Sequence, residues 1–355
     1  MKVKIIGSGR YAPGKPITNE ELKILARIEF DADKISGKIG IQTRHVAKLR
    51  NLRESTADFA TAAASRAIQS ARINPADIDL FIVGTDTPEF ISPSTAVLVQ
   101  GRIQKGETWS TAFDLNSSCA SFVLALNTAA RMLAGDPHLK FACVTGVYNM
   151  PAFVHDGDAF SYPIFADGAG SVVLQRAEDG DASGFVDSLG LADGTQWDFI
   201  GIYTGGAHRP FSRELIDQVG GCTSSAARGG SVGTSAVSNK YGLESLKPLP
   251  GDRNVRLWPM VANKILARAN LRANEIDHYI FTQINRSVIE KVMAALGQPM
   301  EKTTCIMGEY GYTGSACVPM ALDVAIENGR IRRGDKVLLV ASGSGLSVGA
   351  SLFIY

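Results

Sequence analysis

Pro75-Ala76-Asp77-Ile78-Asp79-Leu80-Phe81 and Ala273-Asn274-Glu275-Ile276-Asp277-His278-Tyr279 are two versions of one pattern, a polar turn running into an apolar strand. The offset is 277 − 79 = 198 residues, and the same offset carries Cys119 onto Cys317, since 317 − 119 = 198. Each cysteine opens a helical segment: Ala120-Ser121-Phe122-Val123-Leu124-Ala125-Leu126 in the first copy, Val318-Pro319-Met320-Ala321-Leu322 in the second. Each helix leads into an apolar strand, at 141–146 and 336–341. Agreement across three elements reads as duplication of a strand–helix–strand unit.

Working outward, further apolar runs at 3–7, 80–84, 170–174, 279–281 and 350–354 read as buried strands. Helical periodicity covers 56–71, 121–133, 255–269, 288–296 and 320–327. Strand–helix alternation of this kind predicts a layered α/β fold. The division expected is an N-terminal half over residues 1–180, an inserted loop region over 181–254, and a C-terminal half over 255–355. Within the insertion, Gly220-Gly221-Cys222-Thr223-Ser224-Ser225 and Gly229-Gly230-Ser231-Val232-Gly233 have little periodicity, so residues 219–234 read as a lid, a site wall or a disordered stretch. Gly7-Ser8-Gly9 looks like the start of a dinucleotide fingerprint. Two prolines follow where the phosphate-binding helix would begin, so a simple turn is expected there.

Composition sets the outer bounds. The chain has 355 residues, 36 Lys+Arg against 35 Asp+Glu, 45% hydrophobic and 20% charged residues. That is the make-up of a globular protein rather than a disordered one. Balanced charge disfavours a dedicated nucleic-acid binder. No apolar run approaches the roughly 18–20 residues of a membrane span. The N-terminus lacks the long apolar core of a signal peptide, so a cytoplasmic location is expected. The five cysteines, Cys119, Cys143, Cys222, Cys305 and Cys317, form no CxxC pair. Neither a metal site nor a disulfide framework is expected.

Cys119 lies in Asp114-Leu115-Asn116-Ser117-Ser118-Cys119-Ala120-Ser121-Phe122, where small residues precede an apolar helix. A thiol at a helix N-terminus feels the positive end of the dipole, which favours the reactive thiolate. Backbone N–H groups there can also receive an oxyanion. The spacing alone equally suits a buried core cysteine.

Asn116-Ser117-Ser118-Cys119-Ala120-Ser121-Phe122 resembles the nucleophile segment of the β-ketoacyl-acyl-carrier-protein synthase III family, in the thiolase superfamily. Gly40-Ile41-Gln42-Thr43-Arg44-His45-Val46-Ala47 is similar to the family's early Gly-Ile-x-x-Arg segment. Glu54-Ser55-Thr56-Ala57-Asp58-Phe59-Ala60 is similar to its Glu-Thr-Thr-Ser-Asp-x-Ala helix start. Phe165-Ala166-Asp167-Gly168-Ala169-Gly170 resembles its Phe-Gly-Asp-Gly-Ala-Gly turn, and the tail from Gly329 through Gly345 fits as well. The resemblance implies a thiolase-like, duplicated, five-layered α-β-α-β-α fold, generally a homodimer.

It also implies a Cys–His–Asn site, and here the chain departs. Phe281-Thr282-Gln283-Ile284-Asn285 puts Thr282 in the place of the family His. Tyr310-Gly311-Tyr312-Thr313 puts Tyr312 in the place of the Asn. Ser287 takes the place of an Arg that follows the His motif, and Asn285 and Ser287 are expected at the substrate. Thr282 and Tyr312 can donate hydrogen bonds, but neither is a good base near neutral pH. Related enzymes draw an acid from the loop after the strand at 80–84, which makes Asp86 and Glu89 acid–base candidates. Gly343-Ser344-Gly345 resembles the loop whose backbone N–H completes the oxyanion hole. Lys38 and Arg44, with Lys48, Arg50 and Arg53, suit the phosphates of coenzyme A or a carrier-protein arm.

The function this implies is acyl transfer through an acyl-Cys119 intermediate, from an acyl-CoA or acyl-carrier-protein thioester to a second substrate, in specialised fatty-acid or polyketide-type metabolism. No tightly bound cofactor and no metal is expected; coenzyme A or phosphopantetheine enters as the substrate thioester. The alternative is a catalytically degenerate subunit in a heterodimer with an active homologue.

Overall fold

A computed structural model describes residues 3–177, 183–214 and 242–355. The first sheet contains β1 (Val3–Tyr11), β4 (Leu80–Gly84), β5 (Thr111–Leu115), β6 (Phe141–Tyr148) and β7 (Gly168–Arg176), in the order β1-β7-β6-β4-β5. The second contains β8 (Gly184–Ala192), β11 (His278–Phe281), β12 (Lys336–Gly343) and β13 (Ser347–Ile354), in the order β11-β12-β13-β8. Two short ladders, β2 (Ile17–Thr18) with β3 (Thr43–Arg44) and β9 (Ile200–Ile202) with β10 (Leu243–Ser245), complete the strands.

The strand pattern dictates the layers, because alternate side chains leave a strand on opposite faces. Leu80 and Ile82 point to a central core with Phe122, Leu126, Met320 and Leu322. Phe81 and Val83, between and beyond them, pack instead with Phe59 and Ala63. In the second sheet Val337 and Leu339 join the central core, while Leu338 and Val340 pack with Trp258, Val261 and Ile289. The helices Ser121–Gly135 and Cys317–Glu327 therefore lie between the sheets. Thr56–Ala71 and Arg253–Arg268 cover the outer faces. This is the five-layered α/β arrangement.

The duplication is physical. β4 runs parallel to β6 as β11 does to β12, and each is followed by two antiparallel pairings, β6–β7–β1 and β12–β13–β8. The polar turns fold alike, as 3-10 turns at Pro75–Asp77 and Ala273–Glu275. Their aspartates share a task. Asp79 accepts from the Lys140 N–H at 2.7 Å, and Asp277 from the Lys336 N–H at 2.8 Å. Each carboxylate pins the start of the neighbouring parallel strand.

Two expectations need correction. Residues 184–192 are not insertion: they form β8, paired along its length with β13. Residues 7–9 are not a turn but the middle of β1. The glycines there admit the outer helix: a Cβ on Gly7 would stand 2.5 Å from the Ala67 carbonyl oxygen, and one on Gly9 2.5 Å from the Ala67 nitrogen. The stretch 219–234 lies outside the described residues.

Candidate active site

The nucleophile loop joins β5 to the central helix Ser121–Gly135 through a left-handed residue, Ser118, at φ +51°. Its own side chains fix it. Ser118 N–H donates to Asn116 Oδ1 at 3.0 Å, and Ser117 N–H donates to Ser121 Oγ at 2.8 Å. The end of β12 closes on it from the other half: a Cβ on Gly343 would lie 2.6 Å from both the Cys119 nitrogen and the Ser117 oxygen. Only glycine permits that approach, which delivers Ser344 to the sulfur's side. The Ser344 hydroxyl donates to the Ile200 carbonyl, tying β12's end to β9.

Cys119 is half-buried at the wall of a cavity of about 400 Å³. That volume lies within the usual range for small-molecule sites, roughly 300–1,000 Å³. Asp86, Ser118, Tyr148, Thr282, Tyr312 and Ser344 share the wall with it. Burial pushes the thiol up to about 12, and the nearby Asp86 charge pushes the same way. Hydrogen bonds from Tyr312 and Ser118 oppose both. The resting group is therefore a thiol: desolvation outweighs the helix N-terminus on which the sequence reading relied.

Tyr312 is buried. Its ring centroid lies 5.8 Å from that of Phe165 and 6.2 Å from that of Tyr148. Its backbone is clamped by Tyr312 N–H to the Ile164 carbonyl and Ala166 N–H to the Tyr312 carbonyl, both 2.9 Å. Burial holds its phenol well above the ordinary tyrosine range. It faces the sulfur as a permanent donor. Thr282 is buried at the end of β11, and its Oγ1 accepts the Ser342 N–H at 3.1 Å.

Asp86 follows β4 by two residues. Its Oδ2 accepts from Ser118 Oγ at 2.9 Å, whereas its Oδ1 is buried without a hydrogen-bond partner. Burial raises this carboxyl to about 6.

Other candidates stand elsewhere. Glu89 caps the helix Thr56–Ala71, accepting from Ser55 Oγ at 2.8 Å and from the Ala57 N–H at 2.8 Å. Helix N-termini favour such an anion, so it serves as a cap and does not reach the cavity. Arg44 is fully buried, donating to the Ile17 and Pro163 carbonyls and to Asn19 Oδ1. It braces the N-terminal segment rather than binding phosphate. Lys38 is exposed in the turn Ile35–Ile39, away from the cavity wall. Asn285 caps the helix Arg286–Ala295 by accepting from the Ser287 N–H and Oγ, both at 2.9 Å. Neither residue lines the cavity.

Sequence reasoning missed Ser118, Tyr148, Arg253 and Asn254. Trp197, 58% exposed, also forms part of the cavity wall. Ser118 had a legible signal, a hydroxyl next to the nucleophile. The other four come from distant segments, and nothing local announces them. Among the described residues, no group of three or more His, Cys, Asp or Glu is placed to hold a metal ion. No described helix is long and apolar enough to cross a membrane.

Comparison with known proteins agrees with this geometry. The family description "3-oxoacyl-acyl-carrier-protein (ACP) synthase III" matches residues 113–194, and its C-terminal counterpart matches residues 266–355. The beta-ketoacyl-acyl-carrier-protein synthase III of Xylella fastidiosa (Temecula1) is 33% identical over 99% of this chain and 98% of its own. That of Clostridium acetobutylicum is 32% identical over 98% and 97%. Among solved structures, the 3-oxoacyl-acyl-carrier-protein synthase III of Aquifex aeolicus superposes with a TM-score of 0.81 at 29% identity, covering 99% of this chain and all of the other. Xanthomonas campestris OleA, at 20% identity and a TM-score of 0.79 over the whole of this chain and 99% of its own, shares the fold. By fold, by nucleophile loop and by full-length relatives, the chain belongs to the β-ketoacyl-acyl-carrier-protein synthase III family.

Proposed function

We propose that this protein is an acyltransferase of the condensing type, with Cys119 as the acyl carrier. The observation that carries the reading is Cys119 on the cavity wall, with Tyr312 on the same wall favouring its thiolate and the end of β12 packed against its own backbone nitrogen. In the first step the Cys119 sulfur bonds to the carbonyl carbon of an acyl-CoA or acyl-carrier-protein thioester. The carbon–sulfur bond to the carrier breaks, and the carrier thiol leaves with the proton that Cys119 gives up. The backbone N–H groups of Cys119 and Ser344 receive the oxygen's developing charge. In the second step the acyl group passes to an acceptor, by carbon–carbon condensation or by acyl transfer.

Thr282 and Tyr312 stand where the family resemblance places His and Asn. Both carry a hydroxyl that can donate a hydrogen bond; neither takes a proton near neutral pH. Acyl loading is therefore retained, and ordinary malonyl decarboxylation is slow or lost. A specialised acyl-transfer pathway follows from that asymmetry. The homodimer expectation is supported by β5, an edge strand of the first sheet, with Trp109 two residues before it at 85% exposure and Ile91, in the loop after β4, at 84%.

The deciding experiment is intact-protein mass after mixing with a panel of acyl-CoA and acyl-carrier-protein thioesters, beside Cys119→Ala. An adduct on the wild type that is missing from the variant supports the reading, and the fastest donor names the acyl class. No adduct with either donor type overturns it. The protein would then be a non-catalytic subunit, and co-purification with a condensing homologue would follow.

A further inference from the structure

A half-buried thiol held in its neutral form needs a proton acceptor, and the residues at the family's His and Asn positions supply none. Ser118 Oγ lies 3.7 Å from Cys119 Sγ and 2.9 Å from Asp86 Oδ2. The hydroxyl has one hydrogen to give: donated to Asp86, it leaves the Ser118 oxygen to accept from the thiol, and the two contacts then form one path from sulfur to carboxylate. Asp86 is otherwise short of partners: its Oδ1 is buried and unbonded, and among the described residues it joins no ion pair. Ser118 sits in the left-handed region, and its hydroxyl donates to Asp86. A residue other than glycine at positive φ is unusual, and such positions persist where the surroundings enforce them.

We infer that Asp86, acting through the Ser118 hydroxyl, is the base that deprotonates Cys119 as it attacks. This rests on the reading of Cys119 as nucleophile and extends it to a residue, Ser118, with no role in that reading. The step balances. As Sγ bonds to the electrophilic carbon, its proton passes to Ser118 Oγ. Ser118's own proton passes to Asp86 Oδ2, leaving a neutral acid. That acid then returns the proton to the departing carrier thiolate. Ser118 is a positioning and relay residue; Asp86 does not touch the sulfur directly.

The titratable groups facing Asp86 are Cys119, on the nucleophile loop, and Tyr148, at the end of β6. Both stay protonated near neutral pH, so Asp86 sets the observable limb. Its carboxyl, raised to about 6 by burial, is a working base above that pH and is silenced below it. The rate therefore rises with pH through about 6 and then levels.

A competing role makes the opposite prediction. The negative charge of Asp86 by itself pushes the Cys119 thiol up. If charge were its whole effect, removing it would speed the cysteine.

The test is the rate of Cys119 alkylation by iodoacetamide, followed by mass spectrometry across neutral and mildly acidic pH. The variants are Asp86→Asn, Ser118→Gly and Ser118→Ala. Iodoacetamide needs no acyl-binding site, so the relay is tested apart from the acyl-transfer reading. Loss of a positioned base typically costs about 10²–10⁴-fold. A fall of about 100-fold at neutral pH is expected for Asp86→Asn and both Ser118 variants, with the limb near pH 6 gone. Ser118→Gly relieves the positive φ as it deletes the hydroxyl, so its loss of rate cannot be a folding defect. Faster alkylation in Asp86→Asn, or an unchanged rate in Ser118→Gly, overturns the relay. If the limb is present but no thioester loads, the relay stands and the acyl-transfer reading falls.

Discussion

Replacing Tyr312 by Phe removes one hydroxyl from the cavity and changes nothing else of substance. The ring keeps its neighbours Phe165 and Tyr148, at 5.8 and 6.2 Å, and the backbone clamp to Ile164 and Ala166 does not involve the side chain. What is lost is the hydrogen bond from the phenol to the Cys119 sulfur, which favours the thiolate. A hydrogen bond to a charged group is worth about 1.5–3 kcal/mol. At about 1.4 kcal/mol per pKa unit, the thiol rises by about one to two units, and the thiolate available falls about 10- to 100-fold. Acyl loading should fall at least that far, and by up to about 10³-fold if the donor also steadies the transition state. Folding stability, read by urea denaturation, should move by no more than about 1.5 kcal/mol, the net worth of one hydrogen bond. The assay is the rate of the acyl-Cys119 adduct, by intact mass, beside the urea midpoint. Since the phenol is held well above the ordinary range, the pH profile should shift in height without losing a limb. Full loading rate with unchanged stability would make Tyr312 a filler in the wall and refute the reasoning.

The other predictions concern residues whose roles the structure reassigns or reveals. Glu89→Ala should destabilise the protein by about 0.5–2 kcal/mol through loss of the cap on Thr56–Ala71, and leave the pH profile of acyl loading in place; a vanished limb would restore Glu89 as the base. Gly343→Ala should cost about 1–3 kcal/mol or more and abolish loading, because its Cβ would stand 2.6 Å from the Cys119 nitrogen; a normal urea midpoint and rate would show that β12 can retreat. Asp167 is buried, accepts the Ala47 N–H at 2.7 Å, and its carboxyl is pushed up to about 8 by burial. In the unfolded chain that carboxyl ionises near pH 4, so its contribution to stability is lost as pH rises from about 4 to about 8. Asp167→Asn should therefore gain on the wild type between pH 5 and 8, by up to about 4 kcal/mol at about 1.4 kcal/mol per unit; parallel urea midpoints across that range would contradict it.

What the sequence made legible was decided by burial. Strands covered on both faces, such as β4 and β6, read as continuous apolar runs, and the duplicated Asp79 and Asp277 turns gave away the symmetry. β5 and β8 went unread because their exposed positions carry polar residues and glycine that blur the alternation. At the site, residue type was legible and partnership was not. Glu89, Asn285 and Arg44 have the right chemistry for a binding site. Each is committed to backbone groups, N–H donors for the first two and carbonyls for the third, that no local pattern reveals. The residues that do assemble obey a rule of position instead. Asp86 follows the end of β4, Ser118 the end of β5, Thr282 the end of β11 and Ser344 the end of β12, while Tyr148 closes β6. β4, β5 and β6 run parallel, as do β11 and β12, so these positions crowd together at carboxyl ends in each half, where open α/β sheets gather their ligands. Duplication then sets the two sets of strand ends against each other across the central helices. The nucleophile comes from the first half and the tip of β12 from the second, and neither copy alone could surround the thiol.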